Sequence, residues 1–376
     1  RYQPRSRGLG DVYKRQGSSG GSWLNYHHGS IHVCIRGFHL RLLKRLIRTL
    51  LGLVLLGLIV GGTALWWVQH PMKQGADLID LSIERGESAR DVARKTAAAG
   101  VQVPPDLLYA YFRLSGRSRV LKAGSYEIPR GSSPEYLLDM LAEGRQAVRS
   151  VTLVEGWTFR QFREALARAD HLKQDTTGLS GPEIMTRLDH DGIAPEGRFF
   201  PDTYVYPKNS SDLGVLRQAL QAMDRRLEAA WSVRAPDLPL QSPEQALILA
   251  SIVEKETGLQ ADRGQIAGVF ANRLRIGMPL QTDPTVIYGA SEAQGVAFEG
   301  RLRRIHLDTD TPWNTYTRPG LPPTPIAMPG NAALMAAVKP EATSALYFVS
   351  RGDGSSHFSP NLGEHNRAVD QYIRKK

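Results

Sequence analysis

Two glutamates close an otherwise apolar segment, residues 247–263, which reads LILASIVEKETGLQADR. On a helical wheel of 100° per residue, Glu256 and Glu254 fall on opposite sides. Glu256 shares its stripe with three aliphatic side chains: Leu249, Ile252 and Val253. Aliphatic surroundings and the negative end of the helix dipole both raise the pKa of a carboxyl group. Glu256 is therefore the candidate for an acid that donates a proton and then takes one back. The alternative is a structural ion pair with a basic residue.

A second set of side chains suits sugar binding, which needs planar hydrogen-bonding groups and aromatic platforms. These candidates lie in EGRFFPDTY, QTDPT and NTYT: Glu196, Phe199, Phe200, Tyr204, Gln281, Thr282, Asn314 and Tyr316. Asp283 has two interpretations. It is either the second carboxylate that a glycosidase holds about 5–9.5 Å from its acid, or an Asx-turn residue before Pro284, the commoner role of Asp-Pro.

The late histidines do not form a known metal motif. His357 and His365 lie eight residues apart, whereas zinc proteases use closer pairs such as H-E-x-x-H. We therefore predict no metal site and no cofactor, and expect His357 and Asn366 to hold loops near a cleft or to bind substrate. Cys34, the single cysteine, precedes the apolar stretch described below, and residues 31–376 contain no G-x-S-x-G elbow.

Residues 150–376 are predicted to form the larger α/β domain that positions these side chains. SVTLVEG is a strand, Thr158 caps the helix FRQFREALARA, and a long helix follows from about residue 212 to 230. The buried glutamate helix, 246–257, ends at Gly258. MPLQTDPTVIYG is predicted as a loop, and GEHNRAVDQYI as a closing amphipathic helix.

Residues 77–149 are predicted to form a small βααβ module with one further helix. DLIDLSI and AGSYEI are the strands, Ser88 and Ser133 cap helices, and Gly144 ends the last one. The order resembles a LysM-like carbohydrate-binding module. The alternative is a spacer that lifts the next domain off a membrane.

Residues 49–72, TLLGLVLLGLIVGGTALWWVQHPM, contain no charged side chain. About 20 apolar residues cross a bilayer core, so we predict one transmembrane anchor. Tryptophans stand at its far end, and basic residues precede it: Arg41, Lys44, Arg45 and Arg48. The positive-inside rule then places the N-terminus in the cytoplasm. The alternative, a cleaved signal peptide, lacks a clear small-x-small cleavage site.

Residues 1–48 form a basic N-terminal segment that explains the net charge of +10. Ten lysines and arginines stand there against one acid, Asp11, so the remaining chain is nearly neutral. A nucleic-acid binder needs its basic residues on the folded surface, and we therefore predict no nucleic-acid partner. The first thirty or so residues resemble translated adapter and linker sequence, and we do not expect them to belong to a folded domain.

Several ordered motifs together resemble one family. SIVEKET, VFANRLRIGMPLQTDPTVIYG, NTYTRPGLPPTPIAMPG and LYFVSRGDGSSHFSPNLGEHN resemble the MltG/YceG-like endolytic murein transglycosylases, from about Leu46 to the C-terminus. The resemblance implies an α+β fold with one membrane helix, and cleavage of the MurNAc–β-1,4–GlcNAc bond in nascent glycan strands to leave 1,6-anhydro-MurNAc ends. It also implies that Glu256, the second glutamate of EKET, is catalytic, and that peptidoglycan synthases are partners at the bacterial inner membrane.

Three functions remain open from the sequence. The first is the lytic transglycosylase. The second is a muramidase-type hydrolase that uses Glu256 with Asp283 or Glu196, and the third is a non-enzymatic cell-wall scaffold.

Overall fold

The computed structural model describes residues 30–256 and 259–374, with side chains from residue 42 onward except that of Gln260. The predictions about the first thirty residues, and about Gly258 as a helix stop, lie outside the described residues. The chain divides into two compact units, Arg1–His70 and Pro71–Lys376.

The first unit contains one long helix, α1, Ser30–Gln69. Its 28-residue part Leu42–Gln69 has a mean hydropathy of 2.1, and its large apolar side chains are exposed. By length and composition this helix can cross a membrane. The helix ends at Gln69, three residues before the predicted far boundary of the anchor, and that boundary stays a prediction. Met72 is buried in the second unit, where its N–H donates to Ser132 O at 2.8 Å.

The first half of the second unit contains the predicted strands and helices in the predicted order, together with two short strands that were not predicted. Its elements are β1 (Lys73–Gln74), β2 (Leu78–Ile83), α2 (Ala89–Ala98), β3 (Val101–Gln102), α3 (Pro105–Leu114), β4 (Gly124–Pro129) and α4 (Pro134–Glu143). β2 pairs antiparallel with β4, and the two strands that were not predicted, β1 and β3, pair with each other. Ser88 and Ser133 cap α2 and α4, and Gly144 ends α4 with φ at 75°, as the sequence predicts. The LysM-like identity of this module stays a prediction.

The second half carries most of the helices. Its elements are β5 (Val148–Thr152), α5 (Phe159–Ala167), α6 (Gly181–Arg187), β6 (Thr203–Pro207), α7 (Asp212–Ser232), α8 (Pro243–Glu256), α9 (Gln260–Arg275), α10 (Asp283–Gln294), α11 (Arg304–Asp308), α12 (Asn331–Val338), β7 (Tyr347–Ser350), β8 (Ser356–Ser359), α13 (Leu362–Val369) and a π-helical turn, Asp370–Arg374. β5 pairs antiparallel with β6, and β7 with β8. The fold is therefore a mixed α and β fold.

Helix α8 lies at the centre of the main hydrophobic core, packed against α7, α9 and α12. Every residue from Ala246 to Val253 is buried, so the helix is covered on all sides. A helix with this pattern belongs to a core rather than to a surface. The glutamates at its end are the places where a charged group meets that core.

The prediction of a loop over MPLQTDPTVIYG is wrong from Asp283 onward, where α10 begins. Thr282 is extended and occupies the N-cap, and Asp283 and Pro284 form the first two helical positions. Proline fits a first helical turn because the N–H groups there have no partner within the helix. The Asp-Pro pair therefore starts a helix here.

Candidate active site around Glu256

The two glutamates at the end of α8 have different partners. Glu254 is 7% exposed and lies 3.5 Å from the Arg263 guanidinium, while its other carboxylate oxygen accepts the Gly330 N–H at 2.9 Å. Glu254 thus ties α8 to α9 and to the start of α12. The structural ion pair that was the alternative for Glu256 is formed by Glu254.

Glu256, the last residue of α8, is partly buried and accepts a hydrogen bond from the Thr282 hydroxyl. In the described part of the chain it has no ion-pair partner. Burial raises the pKa of Glu256, and the nearby Asp283 charge raises it further, whereas the Thr282 bond and the Arg273 charge lower it. Burial is the largest of these effects, so the carboxyl group holds its proton to higher pH than an exposed glutamate does.

The segment before α10 presents Thr282 to Glu256 through a strained turn. Gln281 has φ at 46°, which is uncommon for a residue with a side chain, and its N–H donates to Thr315 O at 3.1 Å. The Thr282 N–H donates to the Thr315 hydroxyl at 3.1 Å, and its side chain is 2% exposed. Thr282 therefore positions the carboxyl group, and the exposed Gln281 side chain is free to meet a ligand.

Asp283 and Tyr316 form a second polar pair beside Glu256. The Tyr316 hydroxyl donates to Asp283 Oδ1 at 2.6 Å, and the Asp283 side chain is exposed. Asp283 does not form the expected Asx-turn, because it is the first residue of α10 and its carboxylate accepts the Tyr316 hydrogen bond. Burial and the Asp283 hydrogen bond raise the pKa of Tyr316, so the phenol remains a proton-bearing donor at neutral pH.

Three residues of this site were not predicted: Arg273, Tyr347 and His365. Arg273 is 7% exposed and donates to Leu346 O at 2.7 Å and to Leu280 O at 2.6 Å. Its guanidinium lies 5.3 Å from the ring centroid of Tyr347, on which His365 stacks at 5.1 Å. Burial lowers the pKa of His365, and the Arg273 charge lowers it further, so the imidazole is neutral near pH 7. The one feature of the sequence that indicated His365 was its position next to Asn366, a predicted substrate-binding residue.

Two residues that were predicted to bind substrate, Tyr204 and Asn314, have structural roles instead. Tyr204 is 8% exposed in the core and its hydroxyl donates to Phe200 O at 2.7 Å. Asn314 is fully buried, and its amide donates to Leu307 O at 2.9 Å and to Thr309 O at 2.7 Å. Their polar atoms are already used within the protein, so neither is retained as a substrate-binding residue.

Glu196 lies on a cavity whose lining does not include Glu256. It is 6% exposed, and it accepts the Phe159 N–H at 3.1 Å and the Tyr288 hydroxyl at 3.2 Å. Burial raises the pKa of Glu196 to about 8. Burial thus favours its protonated form at neutral pH, and the cavity that it lines is not formed by Glu256. Phe199 and Phe200, expected in a groove, are buried core residues.

His357 and Asn366 lie near the C-terminal hairpin. His357 is on β8, with its ring 5.6 Å from that of Tyr372, and Asn366 is exposed on α13. Their role in substrate binding stays a prediction. Among the described residues, no group of three or more His, Cys, Asp or Glu side chains could hold a metal ion.

The geometry is that of a general acid–base site. A carboxyl group of raised pKa is held by one hydroxyl, lies beside the Asp283–Tyr316 pair and feels the charge of Arg273. Such a group can protonate a leaving oxygen and then accept a proton.

The YceG-like family model matches residues 81–371, so the chain belongs to the YceG-like family. An endolytic murein transglycosylase from Bacillus subtilis is 29% identical over 346 residues, which cover 85% of this chain and 92% of the relative. The enzyme of the same name from Streptococcus pneumoniae strain D39 is 28% identical over 329 residues, 79% of this chain and 59% of the relative. A crystal structure of a yceG-like protein from Listeria monocytogenes has a TM-score of 0.49 and 25% identity, covering 79% of this chain and all of that one.

Proposed function

We propose that the protein is an endolytic peptidoglycan lytic transglycosylase that cleaves the MurNAc–β-1,4–GlcNAc bond of nascent glycan strands. The observation that carries the proposal is the Glu256 carboxyl group, which has raised pKa, one hydroxyl partner and no ion pair among the described residues. Membership of the YceG-like family, and relatives named endolytic murein transglycosylase, support it.

The reaction needs one acid that works twice. Protonated Glu256 gives its proton to the glycosidic oxygen as positive charge develops at C1 and the bond to that oxygen breaks. The resulting carboxylate takes the proton of the muramoyl O6 hydroxyl, whose oxygen closes onto C1. The products are a 1,6-anhydro-MurNAc end and a free GlcNAc hydroxyl, and Glu256 is protonated again without water being consumed.

Other groups around Glu256 suit substrate contacts in this proposal. Gln281 offers an exposed amide, Tyr316 a phenol and His365 a neutral imidazole. Asp283 is the candidate for a second carboxylate, since its charge acts on Glu256 whereas Glu196 lines a separate cavity. Its hydrogen bond to Tyr316 suits a role in orienting that phenol.

The proposal also places the reaction close to a membrane. Helix α1 acts as a single-pass anchor in the bacterial inner membrane, with Lys44, Arg45 and Arg48 toward the cytoplasm and the second unit outside. A cut made close to the membrane ends the growth of a strand, so peptidoglycan synthases are the proposed partners. The LysM-like module is proposed to bind glycan.

Glu256→Gln tests the proposal, with Glu254→Gln as the matched control from the same helix end. We expect wild type to release fragments with anhydro ends, measured by mass spectrometry of digested glycan strands, and Glu256→Gln to lose at least about a thousandfold in rate. Glu254→Gln keeps the catalytic carboxyl group, and is expected to lose stability by about 2 kcal/mol while it still cuts.

Three outcomes contradict the proposal in different ways. Reducing ends from every cut indicate a hydrolase, and Asp283→Asn then identifies its second carboxylate. Strands left equally intact by wild type and by Glu256→Gln indicate a scaffold. Anhydro ends released by Glu256→Gln at the wild-type rate place the chemistry away from Glu256.

A further inference from the structure

A cavity of about 680 Å³ lies beside α5 and α10, outside the contacts of Glu256. Its walls are largely apolar and include Ala167, Pro182, Pro195 and Trp313. Four charged side chains also line it: Arg160, Arg163, Glu164 and Glu292. A cavity of this volume with a few convergent polar groups is typical of a ligand site.

Arg160 brings to this cavity a buried nitrogen, Nη1, that lacks a hydrogen-bond partner among the described residues. Its Nη2 donates to Glu292 Oε1 at 3.2 Å. Its Nη1 is buried and has no hydrogen-bond partner among the described residues. A buried N–H without an acceptor is unfavourable, and a guanidinium forms its strongest hydrogen bonds with carboxylates. The cavity therefore suits a ligand that brings a carboxylate to Arg160.

The cavity and the Glu256 site share two chain segments. Thr282 contacts Glu256, and Tyr288 lines the cavity six residues later on α10, a rise of about 9 Å. Trp313 lines the cavity three residues before Tyr316, which bonds Asp283. An extended peptide covers about 3.5 Å per residue, so three residues span this distance.

We propose that this cavity binds the peptide stem of peptidoglycan, with a stem carboxylate on Arg160. The inference rests on the proposed function, because the stem leaves the MurNAc ring next to the bond that is cut. The small methyl groups of alanine residues in the stem fit the proline, alanine and tryptophan walls. The carboxylates of Glu164 and Glu292 oppose a simple anion, so the cavity favours a ligand that carries both an amino group and a carboxylate.

The test compares two substrates that differ only in the stem: intact glycan strands, and the same strands after an amidase has removed the peptides. We expect wild type to prefer the strands with stems, by the ratio of kcat/KM. In Arg160→Gln this ratio falls about tenfold, the effect of one charged hydrogen bond. Arg168→Gln removes an exposed cation at the end of the same helix and keeps the wild-type ratio.

A direct titration keeps the result independent of cleavage. The Glu256→Gln protein in detergent micelles is titrated with a free stem pentapeptide and with its C-terminal amide, and the Trp313 indole signal is followed by NMR. We expect the acid to bind about tenfold more tightly than the amide, and Arg160→Gln to remove the difference. Equal binding of acid and amide, or no shift of Trp313, overturns the stem site. If wild type cuts neither strand, the proposed function fails while the titration still decides the stem site.

Discussion

At the scale of single residues, the partner of each glutamate decides what it can do. Glu254 and Glu256 end the same buried helix, yet Glu254 meets Arg263 and the Gly330 N–H, and Glu256 meets a neutral hydroxyl. Burial raises the pKa of both carboxyl groups; the Gly330 N–H and the Arg263 charge lower the pKa of Glu254, and the Thr282 hydroxyl lowers that of Glu256. The helical wheel predicted that Glu254 and Glu256 lie on different faces of the helix. It could not predict their partners, which lie elsewhere in the chain.

Thr282→Val is predicted to move the pH dependence of the reaction. The Thr282 hydrogen bond favours the charged carboxylate and lowers the pKa of Glu256, so its loss raises that pKa. A step that needs protonated Glu256 declines as pH rises through this pKa. The alkaline limb of the kcat/KM profile should therefore move to higher pH. Thr282→Ser keeps the donor and should keep the wild-type profile; an unmoved limb in Thr282→Val contradicts the role of Thr282.

Glu196→Gln is predicted to flatten the loss of stability with rising pH. Below about pH 4.5 the Glu196 side chain is protonated in both states, and between there and its folded pKa of about 8 only the unfolded chain releases the proton. The free energy of unfolding then falls as pH rises, by about 1.4 kcal/mol per pH unit from this group. Glutamine mimics the protonated form and removes this slope.

Urea unfolding at several pH values measures the effect of Glu196→Gln as a difference from wild type. The exposed Glu228 supplies the control, since Glu228→Gln removes a similar charge from the surface. A Glu196→Gln protein that keeps the wild-type slope shows that Glu196 is charged in the folded state.

Predictions made from residue type alone were wrong for part of the site. Tyr204 and Asn314 carry groups that suit sugars, but the fold uses those groups for its own carbonyl oxygens. Arg273, Tyr347 and His365 were missed because packing of α9, β7 and α13 brings them together from distant parts of the chain. Sequence spacing predicts contacts within a helix, and these contacts lie between elements.

At the scale of elements, local capping chemistry was a reliable guide. Ser88, Thr158 and Ser133 cap the helices that they were predicted to cap, because a side-chain oxygen at that position accepts a free backbone N–H. Helix α10 was missed because Asp-Pro signals a turn as readily as a first helical turn. Its N-cap, Thr282, makes no side-chain capping bond, since its hydroxyl is committed to Glu256.

Gly268→Ala is predicted to loosen the packing of α9, the helix that carries Arg273. A Cβ at Gly268 meets the backbone Glu341 O at 2.5 Å and Thr343 Cγ2 at 2.8 Å. Because a backbone atom cannot swing away, we expect a loss of about 2 kcal/mol in the free energy of unfolding, measured in urea. Gly214→Ala, in α7, is the matched control; its Cβ meets nothing within 4 Å, so a gain of about 0.5 kcal/mol is expected. Equal effects at the two glycines contradict the close approach.

At the scale of the whole second unit, one lysine joins the small module to the larger part. Asp80 on β2 and Glu127 on β4 are directly opposite each other in the antiparallel pair. Like charges in this arrangement destabilise a sheet. Lys208, just after β6, donates to Asp80 at 2.7 Å and to Glu127 at 2.9 Å, and Arg149 on β5 bonds Glu127 at 2.6 Å. The module thus depends on cations that the other half supplies.

The dependence of the small module on Lys208 and Arg149 could not be predicted from the sequence. The two acids are 47 residues apart and Lys208 lies further on, so no spacing rule connects them. Strands β2 and β4 were themselves predicted, but the sequence of a strand does not say which strand it pairs with or which residues face each other.

Lys208→Met is therefore predicted to destabilise the junction between the module and the larger part. The Lys208 side chain is 7% exposed and that of Glu127 17%, so methionine keeps the packing of the stem but leaves two facing carboxylates, with Arg149 alone to offset them. We expect a loss of about 2 kcal/mol in the free energy of unfolding at pH 7.

Lys208 and Arg149 lower the pKa of Glu127, so the stability from this carboxylate is present at neutral pH and is lost as pH falls through its protonation. The difference between Lys208→Met and wild type should accordingly shrink toward pH 3, while the exposed Lys339→Met behaves as wild type throughout. A difference that is constant from pH 7 to pH 3 means that Lys208 acts through packing, and the ionic link is then wrong.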